Sequence, residues 1–258
     1  MPNHAAAPIH VTTRDGDCRA FVFQPAAGSG PWPAVIVYMD AFGIRPALLD
    51  LGQRIADLGY SVLVPDLFYR SGPYAVVDPH AFFSHPDTFK VLKERFMVHT
   101  TVANVMSDTQ AFLDALAHQP AVQSGPVGTV GYCMGGRFAL AAAGTSPARV
   151  AACATFHGGN LATDAPDSPH LLADKMHARA FVAGATGDGN FPDAMKARLE
   201  AAFSTAHVAH TVETWPAQHG WTFYDTPVYD AVCFERHLRV LDDLFGATLK
   251  PRAPDAPR

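Results

Sequence analysis

The run Thr129-Val130-Gly131-Tyr132-Cys133-Met134-Gly135-Gly136-Arg137 holds the residues best suited to chemistry in this chain. It has the form G-x-C-x-G, between the apolar stretch 127–130 and the alanine-rich stretch 138–143. A β-branched run, then small residues, then helix formers predict a strand, a sharp turn and a helix. The residue at the centre of such an elbow is forced into a strained backbone conformation. Glycines two before and two after leave room for that conformation and for a substrate. A serine nucleophile is the usual occupant, and here it is a cysteine. Two glycines inside a continuous helix would be costly, which argues against reading Cys133 as a buried apolar filler.

An activated thiol needs a base, and the base needs an orienting acid. Asp188 follows a predicted strand at 180–183 through Gly184-Ala185-Thr186-Gly187. His219 follows a predicted strand at 211–214, in Gln218-His219-Gly220-Trp221. Nucleophile, acid, histidine is the chain order of the α/β-hydrolases. Asp193 stands nearby, but Asp188 is closer to its strand end. His157, in Phe156-His157-Gly158-Gly159, also follows a strand and is either pocket lining or packed core. Phe42 and Trp221, with Tyr38 and Phe223, fit pocket lining or aromatic core. Asp40 is either functional or a cap of the following turn.

The thiol limits the substrate. A tetrahedral intermediate expels the group of lower pKa, and a free thiol sits near 8.5, far below an ordinary alcohol. A simple ester would revert to thiol and substrate. Enolate and phenolate leaving groups compete with the thiolate, so enol-lactones and activated aryl esters are expected substrates.

The elements that must position these residues alternate. Segments 9–12 and 18–24 flank Asp15-Gly16, a hairpin signal. The apolar runs 35–39 and 61–64 predict strands covered on both faces. Leu48, Leu51, Ile55 and Leu58 recur at helical spacing before Gly59, and Val102, Val105, Thr109, Phe112 and Leu116 predict a second helix. Further strands are predicted at 127–130, 150–156, 180–183 and 211–214. A helix opened by Pro192 lies between the last two, and a final helix spans about 228–245. The stretch 67–100 is irregular and rich in aromatics, Pro and His, and is read as a cap-like insertion. The tail 250–258 holds three prolines and is expected to be disordered. The fold class is therefore α/β: one domain over 1–249, a mostly parallel sheet with helices on both faces, and its site at the carboxyl ends of the strands.

The 258 residues are 48% hydrophobic and 17% charged, with a net charge of −5. That suits one large domain and favours neither nucleic acid nor anionic lipid as partner. No run approaches the roughly 18 apolar residues of a membrane span, and the start of the chain lacks the pattern of a signal peptide. Cys18, Cys133, Cys153 and Cys233 are scattered, as free thiols of a cytoplasmic protein would be. Cys18, Cys153 and Cys233 read as buried fillers. His80, His85, His99, His207 and His210 lack a third ligand at informative spacing, so no metal and no cofactor are expected. The expected partner is a small molecule, and the protein a monomer or homodimer.

The chain resembles the dienelactone hydrolase (carboxymethylenebutenolidase) family of α/β-hydrolases from about residue 35 to 245. The resemblance rests on Gly131-Tyr132-Cys133-Met134-Gly135-Gly136, on the placing of Asp188 and His219, on Pro65-Asp66-Leu67-Phe68-Tyr69-Arg70 and on Asp40-Ala41-Phe42-Gly43. It implies a Cys133–His219–Asp188 triad working through a thioester. It also implies an oxyanion hole from the N–H groups of Met134 and Ala41, and a substrate carboxylate bound by Arg70. The family's carboxylate at the position of Asp40 is usually a glutamate that touches the resting thiol, and Asp40 is one methylene shorter. Phe223 stands where reference members carry a second arginine, which disfavours a dianionic substrate. The alternative is a thiol redox or ligand-binding protein on a hydrolase fold, with Cys153 or Cys18 as resolving thiol.

Overall fold

A computed structural model describes residues 8–76, 78–80 and 86–250. Its sheet has eight strands among the described residues. They are β1 (Pro8–Thr13), β2 (Gly16–Phe23), β3 (Ala34–Tyr38), β4 (Ser61–Pro65), β5 (Val127–Tyr132), β6 (Val150–Phe156), β7 (Arg179–Ala185) and β8 (His210–Trp215). The order is β1-β2-β4-β3-β5-β6-β7-β8. The hairpin β1–β2 joins antiparallel at one edge, and every pair from β4–β3 onward is parallel. β3, β4 and β5 are buried along their whole length, as their unbroken apolar runs require.

The helices are α1 (Pro46–Ala56), α2 (Pro86–Leu92), α3 (Val102–Ala117), α4 (Met134–Thr145), α5 (Asp193–Thr205) and α6 (Ala231–Leu249). α1 and α6 pack on one face of the sheet, and α3 and α4 on the other. The last helix starts and ends later than its periodicity suggests. Asp230 caps it by accepting the Cys233 N–H at 2.8 Å, and the apolar stripe continues to Leu249, just before Lys250-Pro251.

The segment 67–100 lies against the body where it is described. Phe68 stacks on Phe96 at 5.0 Å, Tyr74 meets both rings edge-on, and a π-helical turn Lys93–Met97 brings the chain back. Of the predicted tail, Lys250 is ordered, with its ammonium on the carbonyl of Leu58. Residues 251–258 and His85 lie outside the described residues.

From β3 the chain crosses to β4 on one side, and β5 lies on the other. The carboxyl ends of β3 and β5 are thus a topological switch point, where a crevice opens because successive connections diverge. Asp40 and Ala41 leave β3 there, and Cys133 leaves β5 beside them.

Candidate active site

Cys133 stands between β5 and α4 with φ 51° and ψ −114°, in the left-handed region where non-glycine residues are strained. The flanking glycines are sterically required. A Cβ on Gly131 would collide with the backbone of Gly135 and Gly136, and one on Gly135 with the backbone carbonyls of Tyr38 and Met39. Met134 opens α4, so its N–H has no acceptor within the helix.

His219, in the loop after β8, meets the Cys133 thiol in hydrogen-bonding contact. Its Nδ1 lies 2.7 Å from Asp188 Oδ2. Asp188 Oδ1 accepts the backbone N–H of Asn190 at 2.8 Å and its side-chain amide at 3.1 Å. Burial alone would raise the Asp188 pKa, but the His219 bond and charge, helped by Asn190, hold it below the usual carboxylate value. For His219 burial opposes protonation, yet Cys133 and Asp188 prevail and push it up to about 10. Asp193 is exposed at the first turn of α5 and takes no part.

A cavity of about 300 Å³ opens over Cys133. Asp40, Ala41, Phe42, Met134, His157 and His219 line it, and so do Met97 and Arg137. His157 is fully buried at φ 41°, with Nε2 2.8 Å from Thr222 Oγ1 and Nδ1 without a partner. Burial, with the neighbouring charge of His219, drives its pKa well down, so it is a neutral imidazole.

Three expectations need correction. Arg70 does not face the cavity. Its guanidinium binds Asp108 through two bonds of 2.7 Å and Asp15 through a third, and Asp108 is fully buried on α3. Trp221 is not pocket lining either. It is fully buried behind the wall, edge-on to His157 at 4.8 Å and against Trp215 at 5.6 Å. Asp40 does line the cavity, but both its oxygens are held by Arg45, at 2.7 and 2.9 Å, and Oδ1 also accepts the Phe42 N–H. Arg45 is 2% exposed, bonds Asp225 as well, and lies between the rings of Phe42 and Phe223. The carboxylate after β3 therefore braces the turn carrying Ala41, and Phe223 covers the guanidinium that holds it.

The model of the dienelactone hydrolase family matches residues 18–249. The chain belongs to the dienelactone hydrolase family. That family comprises hydrolases of ester and lactone bonds. A Synechocystis protein described provisionally as a carboxymethylenebutenolidase is 26% identical, over 89% of this chain and 92% of its own. A crystal structure of a provisionally assigned dienelactone hydrolase from Klebsiella pneumoniae superposes with a TM-score of 0.80 at 19% identity, covering 93% of this chain and 97% of the other. A dienelactone hydrolase-like promiscuous phosphotriesterase from metagenomic libraries gives 0.72 at 28% identity, over 94% and 98%. These likenesses establish the α/β-hydrolase fold of this dienelactone hydrolase family member.

Sequence reasoning missed Arg45, Met97, Asn190 and the cavity position of Arg137. Arg137 alone had a usable signal, on the first turn of the helix that follows Cys133. Arg45 and Asn190 gain their roles through contacts that no spacing announces.

Proposed function

We propose that this protein is a cysteine-dependent hydrolase of enol-lactones and activated esters. The observation that carries this reading is Cys133, strained at the strand–helix junction and touching a histidine whose other nitrogen is held by Asp188. An imidazolium at His219 is the counter-charge a thiolate needs. The thiolate attacks the carbonyl carbon, and the oxyanion takes the N–H groups of Met134 and Ala41. The tetrahedral adduct collapses to a thioester as the enolate or phenolate leaves with the His219 proton. Having given its proton to the leaving group, His219 is a neutral imidazole and is free to act as base. It deprotonates water, which attacks the thioester and releases the carboxylic acid and the thiolate.

The cavity volume suits a small substrate. Four free thiols fit a reducing compartment, and we place the protein in the cytoplasm. The redox alternative is disfavoured by spacing. Cys153 on β6 pairs with Thr129, four residues down β5 from Cys133, or about 13 Å away at strand rise. Cys18 lies on β2, three strands across from β5.

The test is intact mass spectrometry of enzyme quenched in acid during turnover of p-nitrophenyl acetate. An acetyl adduct on Cys133 is expected to accumulate in His219→Ala and to be absent from Cys133→Ala. Wild-type turnover by Cys133→Ala would refute the reading.

A further inference from the structure

Each charged side chain at the cavity is engaged, with one exception. Asp40 and Asp225 hold Arg45, and Asp188 holds His219. Arg137 has no ion pair among the described residues. It donates one N–H to the Thr100 carbonyl at 3.0 Å and lies over the Phe138 ring at 4.7 Å. Its Nε is buried with no hydrogen-bond partner. Burial lowers its pKa, and the charges of Asp167 and Cys133 offset only part of that. By contrast Arg45 and Arg70 are each bracketed by two carboxylates.

A guanidinium kept in a partly buried wall with no carboxylate in contact is costly to the protein. Its unused donors form a planar fork that matches a carboxylate in two parallel bonds. Arg137 stands on the first turn of α4, four residues after Cys133 at the elbow. Both face the same cavity.

We propose that Arg137 is the specificity-determining residue of this pocket, binding a carboxylate that the substrate carries a few carbons from the scissile carbonyl. The proposal rests on the hydrolase reading above and moves anion recognition from Arg70, whose fork is occupied, to α4. The preferred substrate is a monocarboxylate, because one unpaired cation faces the cavity among the described residues.

The test compares mono-p-nitrophenyl adipate with its methyl-capped neutral counterpart. The wild type is expected to favour the carboxylate in kcat/KM by tenfold or more. Arg137→Gln is expected to abolish that preference, chiefly through KM, and Arg137→Lys to retain part of it. A preference unchanged in Arg137→Gln overturns the proposal. So does an equal fall for both esters with a shifted pH profile, since that marks a role in holding the thiolate. If neither ester is turned over, the hydrolase reading fails and calorimetric binding of adipate decides. Binding that Arg137→Gln weakens tenfold supports the assignment, and equal or absent binding overturns it. Thermal melts check that the variants fold, and Arg137→Lys carries the comparison if Arg137→Gln does not.

Discussion

Arg70 and Arg137 carry the same charge and have opposite surroundings. Arg70 is 10% exposed, and Asp108 opposite it is fully buried. Removing the guanidinium would leave that carboxylate buried with only the Tyr69 hydroxyl as a close partner among the described residues. Arg70→Met is expected to destabilise the fold by about 3–5 kcal/mol, with KM for carboxylate-bearing aryl esters unaltered. The double variant Arg70→Met/Asp108→Asn should recover part of the loss, because the orphaned charge is gone. Chemical denaturation of the single and double variants measures this, and a raised KM without lost stability would restore Arg70 to the site. Residue type and local motif pointed to Arg70, and the carboxylates that occupy it come from the β1–β2 hairpin and from α3, remote in sequence.

The β5–α4 elbow and the turn after β3 meet through backbone atoms. Gly135 lies directly over the carbonyls of Tyr38 and Met39, so the nucleophile's helix approaches the end of β3 with no space for a side chain. Gly135→Ala must push the two elements apart, which misplaces the N–H groups of Met134 and Ala41 relative to one another. A loss of about 3 kcal/mol or more is expected from overpacking, together with a kcat that falls more than KM rises. Thermal melts and steady-state kinetics on the purified variant check both. Loss of stability with kcat intact would show that the two amides are not one oxyanion site. The elbow was readable in the sequence because its steric demand is local. Its partner across the crevice was not, because the β3–β5 adjacency arises only in the sheet.

At the scale of the molecule, a layer of buried imidazoles ties the nucleophile strand to α6. Tyr132, next to Cys133, bonds His237 Nε2 at 2.7 Å, and burial pulls the His237 pKa down to about 3. His237 is thus neutral when folded, while an unfolded chain protonates it near pH 6.5. Between those values the unfolded state binds the extra proton. His237 therefore costs nothing above about pH 6.5 and destabilises progressively as pH falls toward 3. His157 acts in the same direction. His237→Gln should reduce the pH dependence of unfolding free energy between pH 6 and 4 by up to about 1.4 kcal/mol per pH unit. Denaturant titrations across that range measure it, and an unchanged slope would mean that His237 is protonated in the fold. The amino-acid sequence alone determined the alternation of strands and helices, the elbow, and the order Cys133, Asp188, His219, since each follows from local steric demand or from a position after a strand. Tertiary structure alone decided which charges are free. Arg45, Arg70 and Arg137 are chemically identical, and among the described residues only the carboxylates that folding brings into contact with the first two distinguish a brace from a binding group.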